Sequence, residues 1–527
     1  MTKTLSQKDS LTQKESKYYI SVITVIILGA FLRFFLLGNQ SLWYDEGLSL
    51  TNSDASTFQE SISIVRHIGN SDKFQPLYFI VLFGWRQVFG ESEFALRSLS
   101  AVLGIGSTIF VFLTALRIYG KKHALWSLLI ITLSSFCVYY SQEARIYALA
   151  MFIASLQLYF FSKVLVKNED NQISSKLLFA IFTALGMFCN ITMWFSTTAL
   201  CLSHIAIYRN FKQWLQWWVP AAVLSIPSIV YHLTLPGATN PETIQINRSA
   251  FPIIQNILFV LNGILVGITY GPSTDELRGD NRVQVVLSYW PHILLLLIVS
   301  SVIFLTLIKV LLKHKKNNIA KHPDYFFAFL FVMAFLMGLF LALAAKLNWL
   351  PRYSYYLWLP LAILIPSVLS QRPAISSKRQ GISQFAKIAV ISLIFLNVYS
   401  LFNYYFNNNY QRDDYRSATH YIIKNRTSST KSVFLYGNPR LFRYYGDTLS
   451  LDARDLGDSL KGGSISVKFA QEIEKLTNSA DTVFIVVNRE HLFPKGVIEK
   501  NMSDLYNLDS EVSFAYFKIY RFPKKKN

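Results

Sequence analysis

Runs of mostly apolar residues recur from Tyr18 to Phe402, separated by short polar stretches. Most are about 17 to 28 residues long, enough for a helix to traverse ~30 Å of hydrocarbon. Inside a bilayer the backbone must satisfy its own hydrogen bonds, so runs of this length read as helical spans. The pattern predicts spans at 18–37, 97–117, 124–140, 146–165, 177–189, 192–208, 214–234, 285–311, 325–345, 353–370 and 384–402. That makes about 11 in all, although 177–189 and 192–208 are each short and are also readable as one long tilted helix.

The segment from Pro76 to Gly90 decides the topology. It offers about 15 residues, contains Arg86 and ends at Gly90-Glu91-Ser92-Glu93, which is short for a span. Counting it would put Lys121, Lys122, Lys313, Lys315, Lys316, Lys378 and Arg379 outside. Treating it as an interfacial helix puts all of them inside, as the positive-inside rule demands. The N-terminus is then cytoplasmic, and 54–96 forms surface helices on the outer leaflet. Arg33, near the outer end of span one, snorkels to the interface. The long outer loop 235–284 carries an apolar patch, 251–269, broken by Gly263 and Gly267. An odd number of spans leaves the C-terminal segment outside.

After Phe402 charged residues become more frequent and β-rich runs appear at Ser432 to Tyr436, Thr482 to Val487 and Glu511 to Arg521. Helical stretches at 411–425 and 467–477 alternate with them, which predicts a small α/β domain. The predicted organisation is a membrane domain over 1–403, with outer-surface helices in 38–96, and an extracytoplasmic α/β domain over 404–527.

Composition agrees with a multi-pass protein of the plasma membrane. Of 527 residues, 52% are hydrophobic and only 16% charged, where a soluble chain has about a quarter charged. The net charge of +20 resides largely in loops between apolar runs. No basic stripe interleaved with aromatics points to nucleic acid. Cys137, Cys189 and Cys201 all lie inside apolar runs without metal-ligand spacing. The first run follows a basic N-terminus but lacks a small-residue cleavage site, so it reads as a retained signal anchor.

Three polar clusters fall on the outer face, each at the end of an apolar helix. They are Asp45-Glu46, Ser141-Gln142-Glu143-Ala144-Arg145, and Pro351-Arg352-Tyr353. Each has a plain reading: a solvated loop, a local ion pair between Glu143 and Arg145, and a snorkelling arginine. Charges at membrane depth are costly and usually face a cavity or a partner. A carboxylate is suited to deprotonating a hydroxyl, and arginine to gripping a phosphate.

Ser41-Leu42-Trp43-Tyr44-Asp45-Glu46-Gly47 resembles the first outer loop of GT-C membrane glycosyltransferases, in their protein O-mannosyltransferase and aminoarabinose transferase branches. Gln75-Pro76-Leu77-Tyr78 is similar to the Pro-Pro-Leu-Tyr segment that follows there, and 94–104 to the next helix start. Tyr140 to Leu149 resembles the second-loop acidic motif, and Arg352-Tyr353 with Leu359-Pro360 a late Arg-Tyr segment. The resemblance implies inverting transfer of a sugar from a polyprenyl-phosphate donor to an extracytoplasmic acceptor. Asp45 would be the general base, Glu46 its support and Glu143 a second acidic residue. Arg352, Arg145, Tyr353, Gln75 and Lys73 would meet the donor phosphate. No cofactor is implied, and lipid-monophosphate users of this family generally work without a metal.

The sequence departs from the family at Phe74-Gln75-Pro76, where relatives have Lys or His before Pro-Pro, and at Cys189-Asn190, where some have Tyr or His. Its C-terminal segment does not match the extra domain of the protein O-mannosyltransferases. The acceptor, whether lipid, glycan, polyol or protein, therefore stays open. A transporter or flippase of lipid-linked glycans is the alternative, but it would carry polar residues along a mid-span path, and these spans are mostly clean.

Overall fold

The computed structural model describes residues 2–69, 71–166, 173–235, 253–278, 281–314, 322–344, 349–370, 377–427, 429–435, 437–446, 480–488, 496–502 and 506–525. The expected helix at 467–477 lies outside the described residues.

Apolar runs become helices because a helix leaves few backbone groups to be satisfied by lipid. Among the described residues seven are long and apolar enough to span: Gln13–Phe34, Glu93–Tyr119, Tyr147–Leu165, Ile191–Tyr208, Trp290–Leu312, Pro323–Leu343 and Gln384–Phe406. Lys121–Leu133 and Ser135–Ser141, bent by 55° about Ser134, make an eighth if counted as one span. Ile20, Ile23, Ile27 and Phe31 form an exposed apolar stripe on the first helix; such a stripe is unfavourable in water and at home in lipid.

The other three of the 11 expected spans are helices that fall short of the same standard. Ile173–Cys189 has 17 residues and ends at Asn190, whose side chain caps the next helix by accepting from Thr192 N at 2.7 Å. They are thus two helices, not one long one. Phe211–Thr234 is long enough at 24 residues but holds Pro220 and Pro227 and begins among polar residues. Tyr355–Leu364 has all 10 residues buried in the protein and continues as a short 3-10 turn. Pro76–Phe89, at 14 residues, is a short helix, as is Phe58–Arg66 before it.

The chain divides into two compact units. One comprises Met1–Leu37, Ala55–Ser273 and Val285–Phe406; the other comprises Gly38–Asp54, Thr274–Gln284 and Asn407–Asn527. In the first, Ile173–Cys189 packs against both Tyr147–Phe161 and Phe211–Thr234. The rings of Phe161, Phe179, Trp217 and Trp218 meet edge to face at that junction. Arg33 does not snorkel. It is fully buried and donates to Gly29 O at 3.1 Å and Thr108 Oγ1 at 3.0 Å, because its own helix and the neighbouring helix Glu93–Tyr119 supply acceptors.

Of the expected apolar patch at 251–269, residues 253–266 form one helix, Ile253–Val266. Gly263 does not break it. A Cβ there would lie 2.5 Å from the ring of Pro351, so the glycine lets the Pro351–Tyr353 turn pack close. Gly267 ends the helix with φ +82°.

The second unit holds a four-stranded sheet in the order β1-β2-β4-β3. β1 is Thr430–Leu435, β2 Thr482–Asn488, β3 Ser510–Phe514 and β4 Phe517–Pro523. β1 and β2 pair in parallel, while β2 with β4 and β3 with β4 pair antiparallel. Every residue of β2 is buried, as expected for a central strand covered on both faces. The run read as one strand, Glu511 to Arg521, is a hairpin, because Tyr516 adopts φ +63° and reverses the chain. Asp414 N donates to Ala515 O at 3.1 Å, tying this turn to the start of helix Tyr415–Asn425.

Candidate functional site

Asp45 and Glu46 lie in the first turn of helix Tyr44–Asn52, where the helix dipole favours negative charge. Trp43 is a poor N-cap residue, and Glu46 compensates by accepting from Trp43 N at 3.3 Å. Successive helical residues point about 100° apart, so the two carboxylates meet different surroundings. Glu46 is fully buried and pairs with Arg412 at 3.4 Å. Asp45 is half-buried.

The rest of this loop is fastened within the second unit. Ser41 Oγ donates to Asp413 O at 2.7 Å and accepts from Tyr415 N at 3.1 Å. Leu42 N donates to the Tyr445 hydroxyl at 2.7 Å. Arg416 donates to the carbonyls of Gly38 and Asn39, both at 3.1 Å. A Cβ on Gly47 would lie 2.5 Å from Asn438 Nδ2 and 2.7 Å from Leu441 Cγ, so Gly47 permits close approach to helix Pro439–Tyr445.

The other candidates belong to the first unit. Arg145 forms a bidentate pair with Asp72, at 2.8 and 3.0 Å, and both side chains are almost inaccessible. Gln75 Nε2 donates to the same carboxylate at 3.2 Å. Lys73 is buried, with its ammonium 5.4 Å from the Phe74 ring, and its carbonyl accepts from the Tyr231 hydroxyl at 3.3 Å. Glu143 is buried, and its carbonyl accepts from Arg145 N at 2.8 Å. Next to it, Gln142 Nε2 donates to the carbonyls of Leu32, Arg33 and Phe35 at 2.9 to 3.1 Å, capping the end of the first helix. Arg352 is half-buried and stacks over Tyr353 at 5.1 Å. Tyr353 meets Tyr147 edge-on at 6.1 Å, and Tyr147 meets Tyr140 at 5.2 Å. Tyr140 lies within electrostatic reach of both Glu143 and Arg352.

The structure therefore joins the second and third clusters through a chain of tyrosines. Asp72 and Arg412 were missed from sequence. Asp72 had a signal, a carboxylate three residues ahead of Gln75-Pro76; Arg412, in a run of polar residues beyond the last span, had none. Among the described residues no three His, Cys, Asp or Glu side chains gather as a metal site.

The profile of the dolichyl-phosphate-mannose-protein mannosyltransferase family matches residues 75–233. No curated protein matches the sequence. The crystal structure of ArnT from Cupriavidus metallidurans bound to undecaprenyl phosphate is similar, with a TM-score of 0.61 at 10% identity, over 95% of this chain and 97% of that one. Its apo state is similar at the same TM-score and identity, over 96% and 98%. At this identity the likeness is one of fold, and it extends over nearly the whole of both chains: the protein has the GT-C fold.

Proposed function

We propose that this protein is a membrane glycosyltransferase that moves a sugar from a polyprenyl-phosphate donor to an extracytoplasmic acceptor, with inversion. The observation that carries the reading is the similarity of fold, over nearly the full length, to ArnT, crystallised with undecaprenyl phosphate. The family profile over 75–233 supports it, since that stretch includes Gln75-Pro76 and the segment Ser141 to Arg145. The N-terminus is cytoplasmic, and the second unit is outside.

Asp45 is the general base. It is the half-buried member of the acidic pair, whereas Glu46 is fully buried and pairs with Arg412. As the base takes the acceptor proton, the acceptor oxygen attacks the anomeric carbon and the lipid phosphate leaves with the bonding electrons. Arg352 and Lys73, with Tyr353, supply positive charge and hydrogen bonds to that phosphate. Arg145 and Gln75, both bonded to Asp72, serve the phosphate by shaping its surroundings. Glu143 is the second acidic residue and orients the site. No step needs a metal.

The test is turnover of a panel of radiolabelled polyprenyl-phosphate sugars by the full chain in lipid, with membrane extract as acceptor source and with or without EDTA. Consumption by wild type and not by Asp45→Asn is expected. Consumption at equal rates would remove Asp45 as base. No consumption at all, with uptake of donor into sealed vesicles, would favour a transporter.

A further inference from the structure

We infer that Arg412 is a positioning residue for the acidic pair, which makes the C-terminal segment part of the catalytic machinery. The inference rests on the reading of Asp45 as base and concerns how that base is held. Asp45 and Glu46 are neighbours on a helix of 9 residues, so burying one fixes the direction of the other. A buried carboxylate is stable only with a partner, and Arg412 is that partner for Glu46. The pair thus sets the rotation of the helix about its axis.

Two further contacts set its position. Ser41 is held by Asp413 and Tyr415, the residues following Arg412, so Arg412 and the start of the loop are fixed by the same stretch of backbone. Gly47 sets the closest approach to helix Pro439–Tyr445. Arg412 itself is buried, with its side chain 5% exposed, and meets the acidic pair at Glu46. A lone ion pair across a domain is commonplace; an ion pair and a forced glycine on one short helix, with a backbone peg at Ser41 just before it, define the orientation of a half-buried carboxylate.

The experiment compares Arg412→Ala, Arg412→Lys, Glu46→Gln and the Glu46→Gln/Arg412→Ala double variant, in the full chain in lipid with the same radiolabelled donors. Arg412→Ala is expected to lower kcat about 30-fold or more while KM for donor moves less than about twofold, the pattern of a lost transition-state interaction. Arg412→Lys keeps the charge without the planar fork and recovers part of the loss. The double variant loses no more than Arg412→Ala alone, since both act through one pair. Wild-type kcat in Arg412→Ala would overturn the inference, as would multiplicative losses with no rescue by lysine. If wild type consumes none of the donors, the glycosyltransferase reading falls, and amide exchange decides the positioning claim separately. Arg412→Ala must then speed exchange in 44–52 by about tenfold or more; unchanged exchange refutes it.

Discussion

The two buried arginine–carboxylate pairs are built differently. Asp72 and Arg145 are 73 residues apart and meet fork to fork, with Gln75 as a third member. Glu46 and Arg412 are 366 residues apart, with Arg412 Nη1 at 3.4 Å from Glu46 Oε1. The second oxygen of Glu46 turns to its own helix at Trp43 N. In the first pair both guanidinium amino groups of Arg145 reach the Asp72 carboxylate. The second stands next to Asp45. A bidentate buried pair is suited to holding shape, and a buried pair beside a half-buried acid to aiming it. The comparison teaches that two buried pairs of the same chemistry are suited to different tasks by what adjoins each pair.

The largest expected effect separates those tasks. With Asp45 as the proposed base, Asp45→Asn keeps the shape and removes the proton acceptor, so turnover should fall about 10³-fold with the unfolding midpoint little changed. Wild-type turnover would sink the assignment. Asp72→Ala should do the reverse. It leaves Arg145 as an uncompensated buried charge, which costs about 3–5 kcal/mol of stability, read by thermal unfolding in lipid. A stability change under about 1 kcal/mol would mean that the cluster is hydrated and not a structural lock.

Next in size is Gly47→Ala. The added methyl would sit 2.5 Å from Asn438 Nδ2 and 2.7 Å from Leu441 Cγ, so those side chains or the helices that carry them must shift, at about 1–3 kcal/mol. Turnover should drop by more than stability does, because a shifted helix misaims Asp45. Equal turnover at lowered stability would mean that aim tolerates the movement.

Much of the membrane part was legible, because period and length report directly on a helix in lipid. Ser134 and the pair around it were read as one span and are bent. Tyr355–Leu364 shows where hydropathy stops informing: its residues are apolar because they form the protein's own interior, and a hydropathy pattern does not distinguish lipid from protein as the apolar neighbour. The sheet was legible in its strands but not in its hairpin, since nothing in Ala515-Tyr516 advertises a left-handed residue as a glycine would. The site was half legible. The acidic pair stands out in sequence, but which carboxylate is buried depends on Arg412, far along the chain. Likewise Arg145 reads naturally as a partner for Glu143 two residues away, yet the fold offers it Asp72, whose two oxygens match the guanidinium fork.

The smallest expected effect asks which task Gln75 serves. Direct contact with the donor phosphate is one role open to its amide, and support of Asp72 is the other. Its amide nitrogen donates to Asp72 at 3.2 Å, while Arg145 already fills both oxygens of that carboxylate. Gln75→Ala therefore strands no charge and should cost about 1 kcal/mol of stability, the scale of one ordinary hydrogen bond. If support is its task, affinity for polyprenyl phosphate in lipid should change less than about threefold. A tenfold or greater loss of affinity with stability unchanged would assign Gln75 to the phosphate directly, and the Asp72 cluster would then be a binding surface as well as a lock.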